Sequence, residues 1–151
     1  MRTRNIWVIL LLACMLSGCF LRDRAMPYEF RQNFDQIVTI EILRKENDSV
    51  VTDTPANIIL TVDPSEHRAF IDGLQQVEGG RAMLEPGTGF GMYIIRITYK
   101  NGEIEMIGNY NNGYITPDGK VHQDVYRFDA KAYYAFLSDV LGKEITDWYY
   151  Q

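Results

Sequence analysis

The chain has 151 residues, enough for one compact domain with its own hydrophobic core. Its 20 acidic residues outnumber 15 basic ones, a formal net charge of −5. That balance, with no basic stretch, argues against nucleic-acid binding and against attachment to anionic lipid through protein charge. Two cysteines and two histidines are too few for a grouped zinc centre.

Arg2 and Arg4 open the chain, and Ile6–Leu16 follows without a charge. The run is too short to cross a bilayer core of ~30 Å, which needs roughly 20 apolar residues. A basic start, a short apolar core and a small-residue end read as a secretory signal. Leu16-Ser17-Gly18-Cys19 closes the run. This stretch resembles the lipobox of bacterial lipoproteins. The resemblance implies that the Cys19 thiol receives a diacylglyceryl group and that a dedicated peptidase cuts before it, leaving a terminus that is often acylated. Two or more acyl chains hold a protein stably at a membrane, at ~0.8 kcal/mol per buried CH₂. The expected product is an extracytoplasmic domain tied by Cys19 to the outer leaflet of the cell membrane. Because Phe20 rather than Asp follows the cysteine, the family rule favours the outer membrane where the host has two.

Removing residues 1–18 takes away two arginines and no acid, so the formal charge moves to −7. Cys14 leaves with the leader, and Cys19 is then the only cysteine, so no disulfide is expected. Residues 19–33 mix Arg22, Asp23, Arg24, Pro27 and Arg31 and read as a tether, with Tyr28, Phe30 and Phe34 as groups that can dock onto the domain. Residues 34–151 are expected to form a single domain.

Gln36–Lys45 is rich in β-branched residues, with Val38, Ile40 and Ile42 on one face, and predicts a strand. Glu46–Ser49 turns the chain, Val50-Val51 starts a return, and Ile58–Val62 is a second short strand. Asp63-Pro64-Ser65-Glu66 is a helix start: an N-cap, a proline for the first position and a capping-box acid. Phe70, Ile71, Leu74 and Val77 repeat at helical spacing, and Gly79-Gly80 is expected to end that helix. Arg81–Gly91 reads as a loop.

Tyr93–Lys100 is the strongest strand signal and leads into Asn101-Gly102, the preferred pair for a two-residue hairpin turn. In that register Tyr99 opposes Ile104 and Ile97 opposes Met106. One face then collects Tyr93, Ile95, Ile97, Tyr99, Ile104 and Met106 as core. The other collects Arg96, Thr98, Lys100, Glu103 and Glu105 toward water. Tyr114–Thr116, the Pro117-Asp118-Gly119 turn and Lys120–Phe128 predict another hairpin. Asp129 caps a last helix with Tyr133, Phe136, Leu137, Val140 and Leu141 inward, ended by Gly142. Ile145–Gln151 is a tail that could add an edge strand. The order strand, strand, helix, meander, helix predicts an α+β domain: an antiparallel sheet with two helices on one face. The body also resembles small extracytoplasmic domains of bacterial lipoproteins through "ITYKNGEI", "GYITPDGKV" and a terminal helix, a likeness that implies no transferable chemistry.

Nucleophilic catalysis needs a nucleophile beside a positioned base. The thiol is committed to lipid, and His67 and His122 lie in no catalytic pattern, so both read as packing or surface residues. Asp118-Gly119 lacks the acid ladder of a calcium loop. Gly87, Gly89 and Gly91 do not join a strand to a helix as a phosphate cradle does. Glu103 with Glu105, or Asp124 with Asp129, are the carboxylate pairs a glycoside hydrolase would need, but the predicted register puts the glutamates in solvent. No cofactor or metal is expected. Asn109, Tyr110, Asn111, Asn112 and Tyr114 crowd one sheet end, and the tail adds Trp148, Tyr149 and Tyr150. Aromatic faces beside amides suit a sugar ring or a peptide. Two readings follow: a non-enzymatic, lipid-anchored module for a partner protein or envelope component, and a cell-wall or saccharide-binding module using that aromatic and asparagine surface. An envelope hydrolase is the third.

Overall fold

The computed structural model describes residues 26–45, 58–81, 91–109, 111–124 and 126–146. In chain order these form β1 (Ile37–Arg44), β2 (Ile58–Thr61), α1 (His67–Gln75), β3 (Gly79–Arg81), β4 (Tyr93–Tyr99), β5 (Ile104–Ile107), β6 (Asn112–Ile115), β7 (Val121–Asp124), β8 (Tyr126–Phe128) and α2 (Ala130–Leu141). Six strands make one antiparallel sheet in the order β2-β1-β4-β5-β6-β7, and β3 pairs with β8 in a separate two-stranded ribbon. The fold is α+β, and β4 to β7 run as a meander.

Both helices lie on one face of the large sheet. Ile40, Ile42, Ile95, Ile97 and Ile107 project from the strands onto Phe70, Ile71 and Leu74 of α1 and onto Tyr133 and Leu137 of α2. Phe70 and Phe136 bring the helices together edge to face, with ring centroids 5.2 Å apart. The buried Tyr133 hydroxyl donates to the Ile107 carbonyl at 2.9 Å, which satisfies its polar tip inside the core.

Local rules set the helix ends. Asp63 accepts from the Ser65 amide at 2.9 Å, but the first turn, Pro64–Glu66, is a 3-10 turn and the α-helix starts at His67. Asp129 accepts from the Ala132 amide at 2.9 Å, and Gly142 closes α2. The expected stop at Gly79-Gly80 is different. The helix ends at Gln75, and the two glycines lie in β3, where they meet β8 at close range. Lys120–Phe128 likewise divides: β7 closes the large sheet, and β8 joins β3.

The hairpin between β4 and β5 departs from the expected register by one residue. Its loop has three residues, Lys100, Asn101 and Gly102. The Gly102 amide donates to the Tyr99 carbonyl, and the Tyr99 amide to the Glu103 carbonyl, each at 2.9 Å. A two-residue Asn-Gly turn needs positive φ at both positions, yet only Gly102 has it, at 83°. The Asn101 side chain accepts from the Glu103 amide at 3.0 Å and stabilises the longer loop. Ile97 therefore opposes Glu105, and Thr98 opposes Ile104. Because side chains alternate, the slip exchanges faces along the whole of β5. Glu105 turns toward the helices, and Met106 turns away from them.

The face away from the helices is not simply solvated. Leu43, Ile94 and Met106 are buried there, packed with Ile58, Ile104 and Ile115. Ile94-Ile95 puts one isoleucine on each side, as strands buried on both faces do. Arg96 meets Glu41 across β1 and β4 on this face, with Nε donating to Oε2 at 2.8 Å.

Candidate functional site

The most organised polar cluster surrounds Glu105 in β5, which is 1% exposed. The Tyr28 hydroxyl donates to Oε1 at 2.7 Å. The Tyr99 hydroxyl and the Arg31 backbone amide donate to Oε2, the amide at 3.3 Å. Burial pushes the Glu105 carboxyl above the usual glutamate range, opposed by those three donors. Burial and the facing carboxylate push the Tyr28 and Tyr99 hydroxyls up. The phenols therefore stay protonated and keep donating.

Residues 26–33 reach this cluster as a strap. The Met26 amide donates to the Gly79 carbonyl at 3.1 Å, and the Tyr126 hydroxyl donates to the Met26 carbonyl at 2.5 Å. The buried Tyr28 ring sits edge to face with Phe30 and with Tyr126, both at 5.1 Å, and tilted on Phe128 at 5.4 Å. The Arg31 guanidinium lies 3.8 Å from the centre of the Tyr114 ring and 3.6 Å from Glu103. Gln32 Nε2 donates to Glu103 at 2.7 Å. Hydrogen bonds from Gln32 and Asn101, with Arg31 nearby, hold the Glu103 carboxyl below its usual range. A cleft of about 270 Å³ opens beside the strap, lined by Met26, Pro27, Tyr28, Glu29, Asp124 and Tyr126.

The residues singled out in the sequence scatter. Asn109, Asn111 and Asn112 are buried and do not form a surface. Asn112 Oδ1 accepts from the Gly108 amide at 3.1 Å, and its Nδ2 donates to the Tyr126 carbonyl at 2.7 Å, tying the β5–β6 turn to β8. Asn109 Oδ1 accepts from the Tyr134 hydroxyl at 3.2 Å. Tyr114 is half-buried, and the parallel His122 ring stacks on it at 4.6 Å. Tyr114 thus already carries two stacking partners from the chain itself, the Arg31 guanidinium and the His122 ring. Cys19, Tyr110, Trp148, Tyr149 and Tyr150 lie outside the described residues, as do Gly87 and Gly89 and the expected strand start at Val50-Val51. Ile145 is buried and Thr146 exposed, and neither belongs to a strand; residues 147–151 of the expected edge strand lie outside the described residues as well.

His67 is buried, with Nε2 3.3 Å from the Val62 carbonyl, a packing role. Asp118 serves its turn, taking the Thr116 hydroxyl at 2.5 Å and Lys120 Nζ at 2.8 Å. Among the described residues no group of three or more His, Cys, Asp and Glu side chains converges as metal ligands would. The two carboxylate pairs do not act as pairs either. Glu105 is enclosed while Glu103 holds the strap, and Asp124 lines the cleft while Asp129 caps α2.

Tyr28, Arg31, Tyr99 and Glu105 are the residues sequence reasoning missed as a unit. The legible signal is an acid, Glu105, set between Ile104 and Met106 in an apolar strand, together with aromatic residues in a segment otherwise composed like a tether. Comparison of the chain with models of protein families, with characterised proteins and with solved structures finds no match.

Proposed function

We propose that this chain is a lipid-anchored, extracytoplasmic, non-enzymatic module that binds a partner protein or envelope component. One observation carries the reading: Leu16-Ser17-Gly18-Cys19 ends a short apolar run behind Arg2 and Arg4, and a folded domain follows within a few residues. The polar groups of the described core support binding over chemistry. Both Glu105 oxygens are taken by donors of the chain itself, and both ends of the Asn112 amide are spent on the Gly108 amide and the Tyr126 carbonyl. Anchoring confines the module to a surface, which raises its effective concentration for partners in the same layer.

The exposed strand β7 is the best-placed docking element. It pairs with β6 on one side and is the last strand in the sheet order, and Val121 is 63% exposed. An extended partner segment adds to such an edge through backbone hydrogen bonds. The saccharide alternative draws no support from Asn109 and Asn112, whose amides are buried, or from Tyr114, whose ring already stacks with Arg31 and His122.

The test is intact mass spectrometry of the membrane-bound product from a bacterial host, for the full chain and for Cys19→Ser. The expected product begins at Cys19 and carries acyl groups, both lost in the serine variant. An uncleaved or unmodified wild-type chain overturns the reading. A photocrosslinker at Val121 then reports the partner, and its failure to crosslink while crosslinkers elsewhere succeed removes β7 as the docking edge.

A further inference from the structure

We propose that residues 26–33 clamp the domain at a set orientation and stand-off from the membrane, with the β3–β8 end toward the bilayer and the β4–β5 hairpin away from it. The inference rests on the anchor at Cys19 proposed above.

The strap has two ends, and they lie at different places on the domain. At its start Met26 is held through both its amide and its carbonyl, by Gly79 of β3 and Tyr126 of β8. At its finish Gln32 binds Glu103, and the Gln36 carbonyl accepts from the Lys100 amide at 2.8 Å in the hairpin loop. Between them Tyr28 and Arg31 are fastened to Glu105. The anchor thus enters the domain at the ribbon end, and the hairpin tip is the far end of the strap.

Chain length turns this into a distance. Cys19 and Met26 are seven Cα–Cα steps apart, and an extended chain covers at most ~3.6 Å per step, so the leash is no longer than about 25 Å. Were the strap free up to Phe34, fifteen steps would allow about 50 Å, and the domain would tumble. A docked strap therefore halves the reach and fixes the point at which the leash leaves the domain, which favours the ribbon end facing the bilayer. Glu29 and Asp124 line the cleft at the near end.

The experiment uses the full chain, processed in a bacterial host and reconstituted in vesicles of phosphatidylethanolamine and phosphatidylglycerol with a rhodamine-labelled lipid. Cys14 leaves with the leader and Cys19 carries lipid, so one introduced cysteine is the only thiol to label. Energy transfer from a fluorophore at Asp124→Cys to the labelled lipid is expected to exceed transfer from Lys100→Cys. A flexible Gly-Ser insertion of about ten residues between Ala25 and Met26 leaves the strap in place and lengthens the leash. It should lower transfer at residue 124 and abolish the difference. Tyr28→Phe, with the fold checked by circular dichroism, should narrow the difference without the insertion. Equal transfer from the two positions in the wild type, or a difference that survives the insertion, overturns the clamp. The mass of the same sample separates this from failure of the anchor: a chain without acyl groups at Cys19 removes the reading on which the clamp rests.

Discussion

Glu105 shows how one residue can invert its role between sequence and structure. As an exposed strand acid it would be replaceable at little cost. In the fold it is the catch for Tyr28, Tyr99 and the Arg31 amide. Replacing it with alanine leaves two buried hydroxyls and one part-buried amide without an acceptor, each worth roughly 1–3 kcal/mol when unsatisfied, less what water recovers. Denaturant unfolding of Glu105→Ala is expected to show a loss of about 3–4 kcal/mol. A change near zero would mean that the catch is not formed. Glu105 also leaves a mark on pH dependence. Its carboxyl is raised in the folded state, so the folded chain holds that proton more tightly than the unfolded one. The stability this contributes is fully present below the ordinary glutamate range and is lost as pH rises through the raised value. Glu105→Gln should flatten that part of the stability profile, measured by urea unfolding from mildly acidic to neutral pH. Glu103 acts in the opposite sense, because its lowered carboxyl contributes stability that disappears as pH falls.

At the scale of elements, close approach of the backbone matters more than propensity. A Cβ on Gly113 would lie 2.3 Å from the His122 carbonyl, inside the β6–β7 pairing. Gly113→Ala is expected to separate β7 from the sheet at a cost of about 2 kcal/mol or more. Amide hydrogen exchange should show the loss concentrated in Val121–Asp124; unaltered protection there would contradict it. The α2 cap is an ordinary one by comparison. Asp129→Ala removes the bond to the Ala132 amide and should cost about 1 kcal/mol. The ends of α2, the strand cores and the β-branched runs of β1 and β4 were readable because they depend on neighbours in the chain. The register of the β4–β5 hairpin was less so. Asn101-Gly102 serves two loop lengths, and the choice between them rests on a single backbone angle at Asn101.

For the whole molecule, the strap decides where the domain begins. A boundary drawn at residue 34 by composition leaves Tyr28 outside, yet its ring packs among Phe30, Tyr126 and Phe128. A chain starting at Phe34 should be less stable than one starting at Met26 by about 3–5 kcal/mol, the scale for losing a buried aromatic side chain. Parallel thermal and denaturant unfolding of the two chains measures it, and equal stabilities would mean that the strap adds nothing to the fold.

By itself the sequence determined the α+β class, the two helices and the meander. Each of these is written in residues adjacent along the chain, through periodicity, caps and turn pairs. Only the tertiary structure decided that Glu105 faces inward, that β3 leaves the helix to pair with β8, and that Asn109 and Asn112 serve the interior. Those outcomes depend on groups far apart in the chain, such as Tyr28 and Glu105, 77 residues from each other. A one-residue change in loop length reverses the face of every side chain that follows it in the strand. No local pattern encodes that meeting, because its free energy exists only once the strap, the sheet and the ribbon are assembled together.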